Sequence, residues 1–225
     1  MANIKTVIFD FDGTITTSTS NIWKDIYLAL NLPVDKTSNY YTSYIDFVAG
    51  KYDYATWVKI NQDDFVEGKL NSQLFYKIVD KCNLIDGLEQ TCKTLKQHGI
   101  NLYILSGNFV EAIQYSLGEL TNYFTEISAN NIIFDKNGNL DKLVPTKYDF
   151  EQKATYITQL MEANNLTCDN ICFVGNGDND IYAYKSKVKT ICINPLNANE
   201  NNSTIWSHVI HNCNNLTQIL DYIIK

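Results

Sequence analysis

The chain has 225 residues, 45% of them hydrophobic, which suits one α/β domain with an inserted subdomain and leaves ample material for a core. A formal net charge of −7 and a pI of about 4.9 exclude a broad basic footprint for nucleic acid or an anionic membrane. All 18 basic residues are lysines, so any phosphate must be held without the bidentate fork of arginine.

No apolar run approaches the roughly 20 residues of a membrane-spanning helix. The N-terminus enters an apolar run at once, leaving no room for a signal peptide. Six cysteines form no C-x-x-C pair, and several fall within apolar patterns. Free thiols in a reducing, cytoplasmic setting are therefore expected. The three histidines, His98, His208 and His211, match no metal spacing, which speaks against a histidine phosphatase or a zinc enzyme.

Thr6-Val7-Ile8-Phe9 is apolar and β-branched, the pattern of a buried parallel strand. It runs into Asp10-Phe11-Asp12-Gly13-Thr14. Ser18-Thr19-Ser20-Asn21 offers caps for a helix over Ile22–Leu30, which Pro33 is expected to end. Residues 17–84 read as helices rich in Tyr and Trp. Their aromatics, such as Tyr40, Tyr41, Tyr44 and Trp57, suit either a pocket wall or the segment's own core. Leu88 to Gln97 is an amphipathic helix stopped by Gly99. A strand over Ile100–Leu105 ends in Ser106-Gly107-Asn108, and Phe109 starts the next helix. Ile132–Leu140 reads as a hairpin turning on Asn137-Gly138. A helix over 150–163, a strand at Ile171–Val174, a helix near 180–186, a strand at Thr190–Ile193 and a helix near 216–224 complete the pattern. Strands alternating with helices imply a three-layer, Rossmann-like α/β core around a mostly parallel sheet.

Side chains two apart on a strand share a face, so Asp10 and Asp12 leave one strand end together. Ligands bind at that end of open α/β sheets. Two close carboxylates need a cation, or one must keep its proton. Asp10 can attack phosphorus to form an aspartyl phosphate, and Asp12 can protonate the leaving alcohol and then deprotonate water. Mg²⁺ favours such a set of oxygens.

Asp10-Phe11-Asp12-Gly13-Thr14 resembles the first motif of the haloacid dehalogenase superfamily. Ser106-Gly107-Asn108 resembles the second, Lys153 the third, and Gly175-Asn176-Gly177-Asp178-Asn179-Asp180 the fourth. The resemblance spans nearly the whole chain and is nearest to the phosphoserine phosphatase-like branch. It implies a Mg²⁺-dependent phosphatase acting on a small phosphorylated metabolite. Asp10, Asp12, Ser106 and Lys153 would be catalytic. Gly13, Thr14, Ser106, Gly107, Asn108 and Lys153 would bind phosphate, and Asp10, Asp12, Asn176 and Asp180 would bind the metal. Residues 1–16 and 85–225 would form the core domain, and 17–84 a helical cap closing over it. Ser106 also reads as an ordinary helix N-cap, and Lys147 rivals Lys153. No nucleic-acid or membrane partner is expected, and oligomeric state is left open.

Asn176 stands where the family places an acidic metal ligand. An amide oxygen still binds a hard cation, but as a neutral ligand. Weakened metal binding, a ligand set shifted to Asp178 or Asp180, and a dead site that only binds a metabolite or partner all stay open. In phosphoserine phosphatases an acid beyond the first motif holds the substrate amine, and a cap arginine holds its carboxylate. Here Thr19 fills the first position, and Lys59 is the nearest substitute for the second. Asp12 argues against dehalogenases and phosphonatases. A receiver-type switch is disfavoured by the helical insert and by acids gathered at one strand end.

Overall fold

The computed structural model describes residues 3–17, 21–196 and 205–224, so Ser18, Thr19 and Ser20 lie outside the described residues. β1 (Thr6–Phe9) lies near the middle of a seven-stranded sheet. It pairs in parallel with β2 (Asn101–Phe109) on one side and β5 (Ile171–Gly175) on the other. Central strands have two covered faces, hence the unbroken apolar sequence. Val7 and Phe9 enter the core on one face, against α5 (Leu88–Gln97) and α8 (Leu220–Ile223). Ile8 enters the core on the other face, against α7 (Gln152–Ala163). Each such fully buried side chain contributes about 1.5–3 kcal/mol.

Beyond β2 the sheet adds β3 (Phe124–Phe134) in parallel and β4 (Leu140–Val144) antiparallel. Beyond β5 come β6 (Lys189–Ile193) and β7 (His208–Ile210), both parallel. The expected three-layer, mostly parallel core is what the chain forms. Several local details differ from the sequence pattern. β2 continues through Ser106-Gly107-Asn108 to Phe109 before α6 (Val110–Leu117) begins. The hairpin turn is wider than two residues, because Asp135 Oδ1 accepts the N–H groups of both Asn137 and Asn139 at 2.8 and 2.9 Å. Ile181–Ser186 and Leu216–Ile219 are 3₁₀ turns rather than α-helix. β7 had no sequence signal, being three residues at the sheet edge.

Four helices separate β1 from α5: α1 (Ile22–Ala29), α2 (Asn39–Val48), α3 (Tyr54–Glu67) and α4 (Ser72–Val79). Asn21, Ser38, Asp53 and Asn71 cap them, each accepting a backbone N–H of the first turn. Such caps are worth about 1 kcal/mol each. α1 stops before Pro33, with Asn31 in the left-handed conformation at φ 56°. Trp23, Tyr27, Trp57, Phe65 and Phe75 form a second core that also takes in Phe109, Ile132 and Leu143 below it. Thr16 and Leu84 pair as an antiparallel bridge, bringing the two ends of the inserted segment side by side.

Candidate active site

Asp10 is the first residue past β1, yet its backbone N–H still bonds Val174 O at 2.9 Å, which fixes it to the sheet. Its side chain is buried, and Oδ1 accepts from Lys153 Nζ at 3.1 Å. Lys153 lies in the first turn of α7, fully buried. Its ammonium also donates to Asp180 Oδ1 at 2.6 Å. Asp180 Oδ2 accepts the backbone N–H groups of Asn176 and Gly177 at 2.9 and 3.0 Å. Gly175 permits this, since a Cβ there would lie 2.6 Å from Asp180 Cγ. Asp180 thus holds Lys153 and shapes the fourth-motif loop. Lys147, the rival cation, is exposed.

Burial raises the Asp10 carboxyl, the nearby Asp180 and Asp12 raise it further, and Lys153 opposes them. Burial alone would push the Lys153 ammonium down, but Asp10, Asp180 and Asp149 outweigh it and keep the amine protonated. Asp12 takes both of its hydrogen bonds from Asn108 Nδ2, at 2.9 and 3.1 Å. Burial raises the Asp12 carboxyl to about 7, with the Asn108 bond pulling the other way. A group near neutrality is suited to both halves of an acid–base cycle.

Ser106 is buried at the cavity wall, and its Oγ accepts Asn108 N–H at 3.2 Å. It sits inside β2 and not beside a helix start, so neither the N-cap reading nor a hydroxyl at a helix N-terminus describes it. Gly13 takes a left-handed φ of 74°, with its N–H donated to Thr16 Oγ1 at 2.9 Å. Thr14 is wholly buried, and its Oγ1 has no hydrogen-bond partner. Lys59 lies on the exposed side of α3, ion-paired with Asp63 and away from the cavity.

A cavity of about 370 Å³ opens above this floor. Asp10, Asp12, Ser106, Gly107 and Asn176 line its base. The upper wall is aromatic, with Trp23, Tyr40, Tyr44 and Trp57 among its residues. Trp23 Nε1 donates to Gly107 O at 3.0 Å, tying α1 directly to the second-motif segment.

Three residues that sequence reasoning missed complete the site. Asp149 is buried at the cavity wall and accepts from Asn179 Nδ2 at 3.0 Å. It packs so close to Gly107 that a Cβ there would lie 2.3 Å from Asp149 Oδ2. The glycine of Ser106-Gly107-Asn108 was the available signal, because glycine marks close approach. Phe150 has φ 49°, an outlier for a bulky residue, and packs on Phe47 with ring centroids 5.0 Å apart. Asn130 is fully buried and donates to Gly107 O and Asn108 O at 2.7 and 3.2 Å. Its Oδ1 accepts from Thr146 N–H at 2.8 Å. No sequence signal distinguishes it.

Residues 4–186 match the family model of the haloacid dehalogenase-like hydrolases. The chain belongs to this family. The probable phosphoserine phosphatase of Schizosaccharomyces pombe is 29% identical over 114 residues, covering 50% of this hydrolase and 38% of that protein. The phosphoserine phosphatase of Saccharomyces cerevisiae is 28% identical over 119 residues, covering 52% and 38%. The matched stretch is therefore well under half the length of these curated relatives. Both agree with the phosphoserine phosphatase-like branch that the motifs suggested. Among solved structures, a phospho-aspartyl intermediate analogue of phosphoserine phosphatase shares the fold, with a TM-score of 0.73 at 20% identity over 98% of this chain and 99% of that one.

The family resemblance of this hydrolase implies Mg²⁺, and its cavity floor fits a hard cation. Asp10, Asp12 and Asn176 line one cavity and offer oxygen donors. Burial first, and then the neighbouring Asp180 and Asp12, raise the Asp10 carboxyl. Among the described residues no three Asp, Glu, His or Cys side chains are grouped to hold a metal. No helix among the described residues is long and apolar enough to cross a membrane.

Proposed function

We propose that this hydrolase is a divalent-metal-dependent phosphomonoester phosphatase that passes the phosphoryl group through Asp10. The observation that supports this reading is the buried Lys153 ammonium bonded to both Asp10 and Asp180. Asp10 Oδ attacks phosphorus while the ester P–O bond breaks. Asp12 gives its proton to the departing alcohol oxygen. Water then attacks the aspartyl phosphate, Asp12 takes its proton, and inorganic phosphate leaves with Asp10 restored. Lys153 offsets repulsion between Asp10 and the phosphoryl oxygens, with Ser106 and the backbone of Gly107 as further donors. Mg²⁺ held by Asp10, Asp12 and Asn176 would supply further charge neutralisation. Asp180 acts as a positioning residue for Lys153. Residues 17–84 serve as a cap over 1–16 and 85–225, excluding water from the aspartyl phosphate.

The substrate is a small phosphorylated metabolite. Asn176 favours a second reading, a metal-poor protein that binds such a metabolite, or a protein partner, without hydrolysing it. An aryl phosphate assay with excess Mg²⁺ separates the two. Metal-dependent release of phosphate, abolished by a chelator, is expected. Equal turnover in excess chelator would sink the metal mechanism, and no turnover at any metal concentration would leave the binding reading.

A further inference from the structure

The floor of the cavity accounts for a phosphoryl group, and the walls must therefore receive the alcohol. Those walls carry six aromatic rings, from Trp23, Tyr40, Tyr41, Tyr44, Trp57 and Phe150. The rings stand at steep angles to one another. Trp23 meets Trp57 at 4.8 Å and 48°, and Tyr44 meets Trp57 at 6.3 Å and 65°. These rings line the cavity without stacking flat on one another.

The charge of the same walls has one sign. Beyond Asp10 and Asp12, the acids lining the cavity are Asp149 and Asp178, and no Lys, Arg or His lines it among the described residues. The nearby Lys153 ammonium is fully buried and committed to Asp10 and Asp180. Burial, with smaller contributions from Asp178 and Asp149, pushes the Tyr44 hydroxyl up to about 12.

An alcohol bearing a carboxylate would meet acids and rings and no cation. An alcohol bearing a cation gains from both. A quaternary ammonium suits aromatic walls best, because it has no N–H groups to satisfy and is attracted to ring faces. Resting on the phosphatase reading above, we infer that the cavity selects phosphomonoesters whose alcohol carries a quaternary ammonium head, held against the rings of the cap and Phe150.

The test compares phosphocholine with 3,3-dimethylbutyl phosphate, an ester of the same shape whose alcohol part is uncharged (the uncharged ester below), and with phosphoserine. A kcat/KM about tenfold higher for phosphocholine than for the uncharged ester is expected, with phosphoserine below both. Tyr44→Leu should shrink that ratio several-fold, and Tyr44→Phe should preserve it. Equal values for the charged and uncharged esters, or a preference for phosphoserine, would overturn the inference. An aryl phosphate run alongside keeps the two claims apart, since aryl turnover without a cationic preference leaves the phosphatase standing. Should no ester turn over, quenching of tryptophan fluorescence in Asp10→Asn decides the matter. Phosphocholine should then bind about tenfold tighter than the uncharged ester, and equal or weaker binding would refute it.

Discussion

The floor and the roof of the cavity are built on opposite plans. On the floor, buried Lys153 bonds both Asp10 and Asp180, and Asn108 separately holds Asp12. On the roof, α1, α2 and α3 contribute rings that touch one another at varied angles, with Tyr41 and Tyr44 only partly covered. A charged network permits few alternative arrangements, because each unpaired member is costly in a dry setting. Aromatic packing tolerates change in shape and size. On the function proposed above, the difference would separate the chemistry, fixed below, from substrate choice, adjustable above.

If the floor is the chemical half, damage there should dwarf damage to the roof. Asp10→Asn should reduce aryl phosphate turnover to background, since an amide is no usable nucleophile. Asp12→Asn should cost roughly 10²–10⁴-fold in kcat, as expected for loss of general acid–base catalysis. Near wild-type rates in Asp10→Asn would remove the basis for the division.

Lys153→Met comes next. It leaves two buried carboxylates facing each other, and removing one partner of a buried ion pair costs about 3–5 kcal/mol. Urea unfolding should register that loss alongside loss of turnover. Unchanged stability would mean that Asp10 and Asp180 share a proton without strain.

Asn176→Asp sharpens the comparison within the floor itself. It adds a charged oxygen to the cavity base and should tighten Mg²⁺ binding by about tenfold, measured calorimetrically, because hard cations respond to ligand charge. If affinity and rate both stay put, the Asn176 position is not a ligand.

The smallest effect belongs to the roof. Asn71 caps α4 by accepting Leu74 N–H at 2.9 Å and stands outside the cavity lining. Asn71→Ala should lower stability by about 1 kcal/mol and leave kcat at saturating substrate unchanged. A large fall in kcat would show that the chemistry depends on roof rigidity after all.

The floor was legible because Asp10 and Asn176 directly follow or close apolar, β-branched strands, and strand ends in such sheets gather ligands. Lys153 was legible only by resemblance, since nothing in Phe150-Glu151-Gln152-Lys153 separates a buried lysine from a solvated one. The task of Asp180 was hidden because both its partners are brought in by folding: Lys153 is 27 positions away, and the loop amides meet it only once Gly175 lets the chain pack. Asp149 and Phe150 fall where loop and helix-start signals overlap, and the left-handed φ of Phe150 contradicts its own preference. Asn130 lies in a strand whose polar and apolar residues do not alternate cleanly, so a buried amide there reads as surface. On the roof, composition announced an aromatic segment. The split between pocket wall and private core required coordinates: Phe65 is fully buried in the helical core, and Tyr40 lines the cavity.

The burial of Lys153 also bears on how the protein meets electrophiles. Acylating reagents need an accessible, deprotonated amine. The Lys153 ammonium has no solvent-exposed surface, and its carboxylate neighbours hold its proton in place. Exposed lysines such as Lys59 and Lys147 present their amines to solvent. A graded acylation, followed peptide by peptide, should therefore mark Lys153 last. Its first appearance in such a map would signal that the floor has opened.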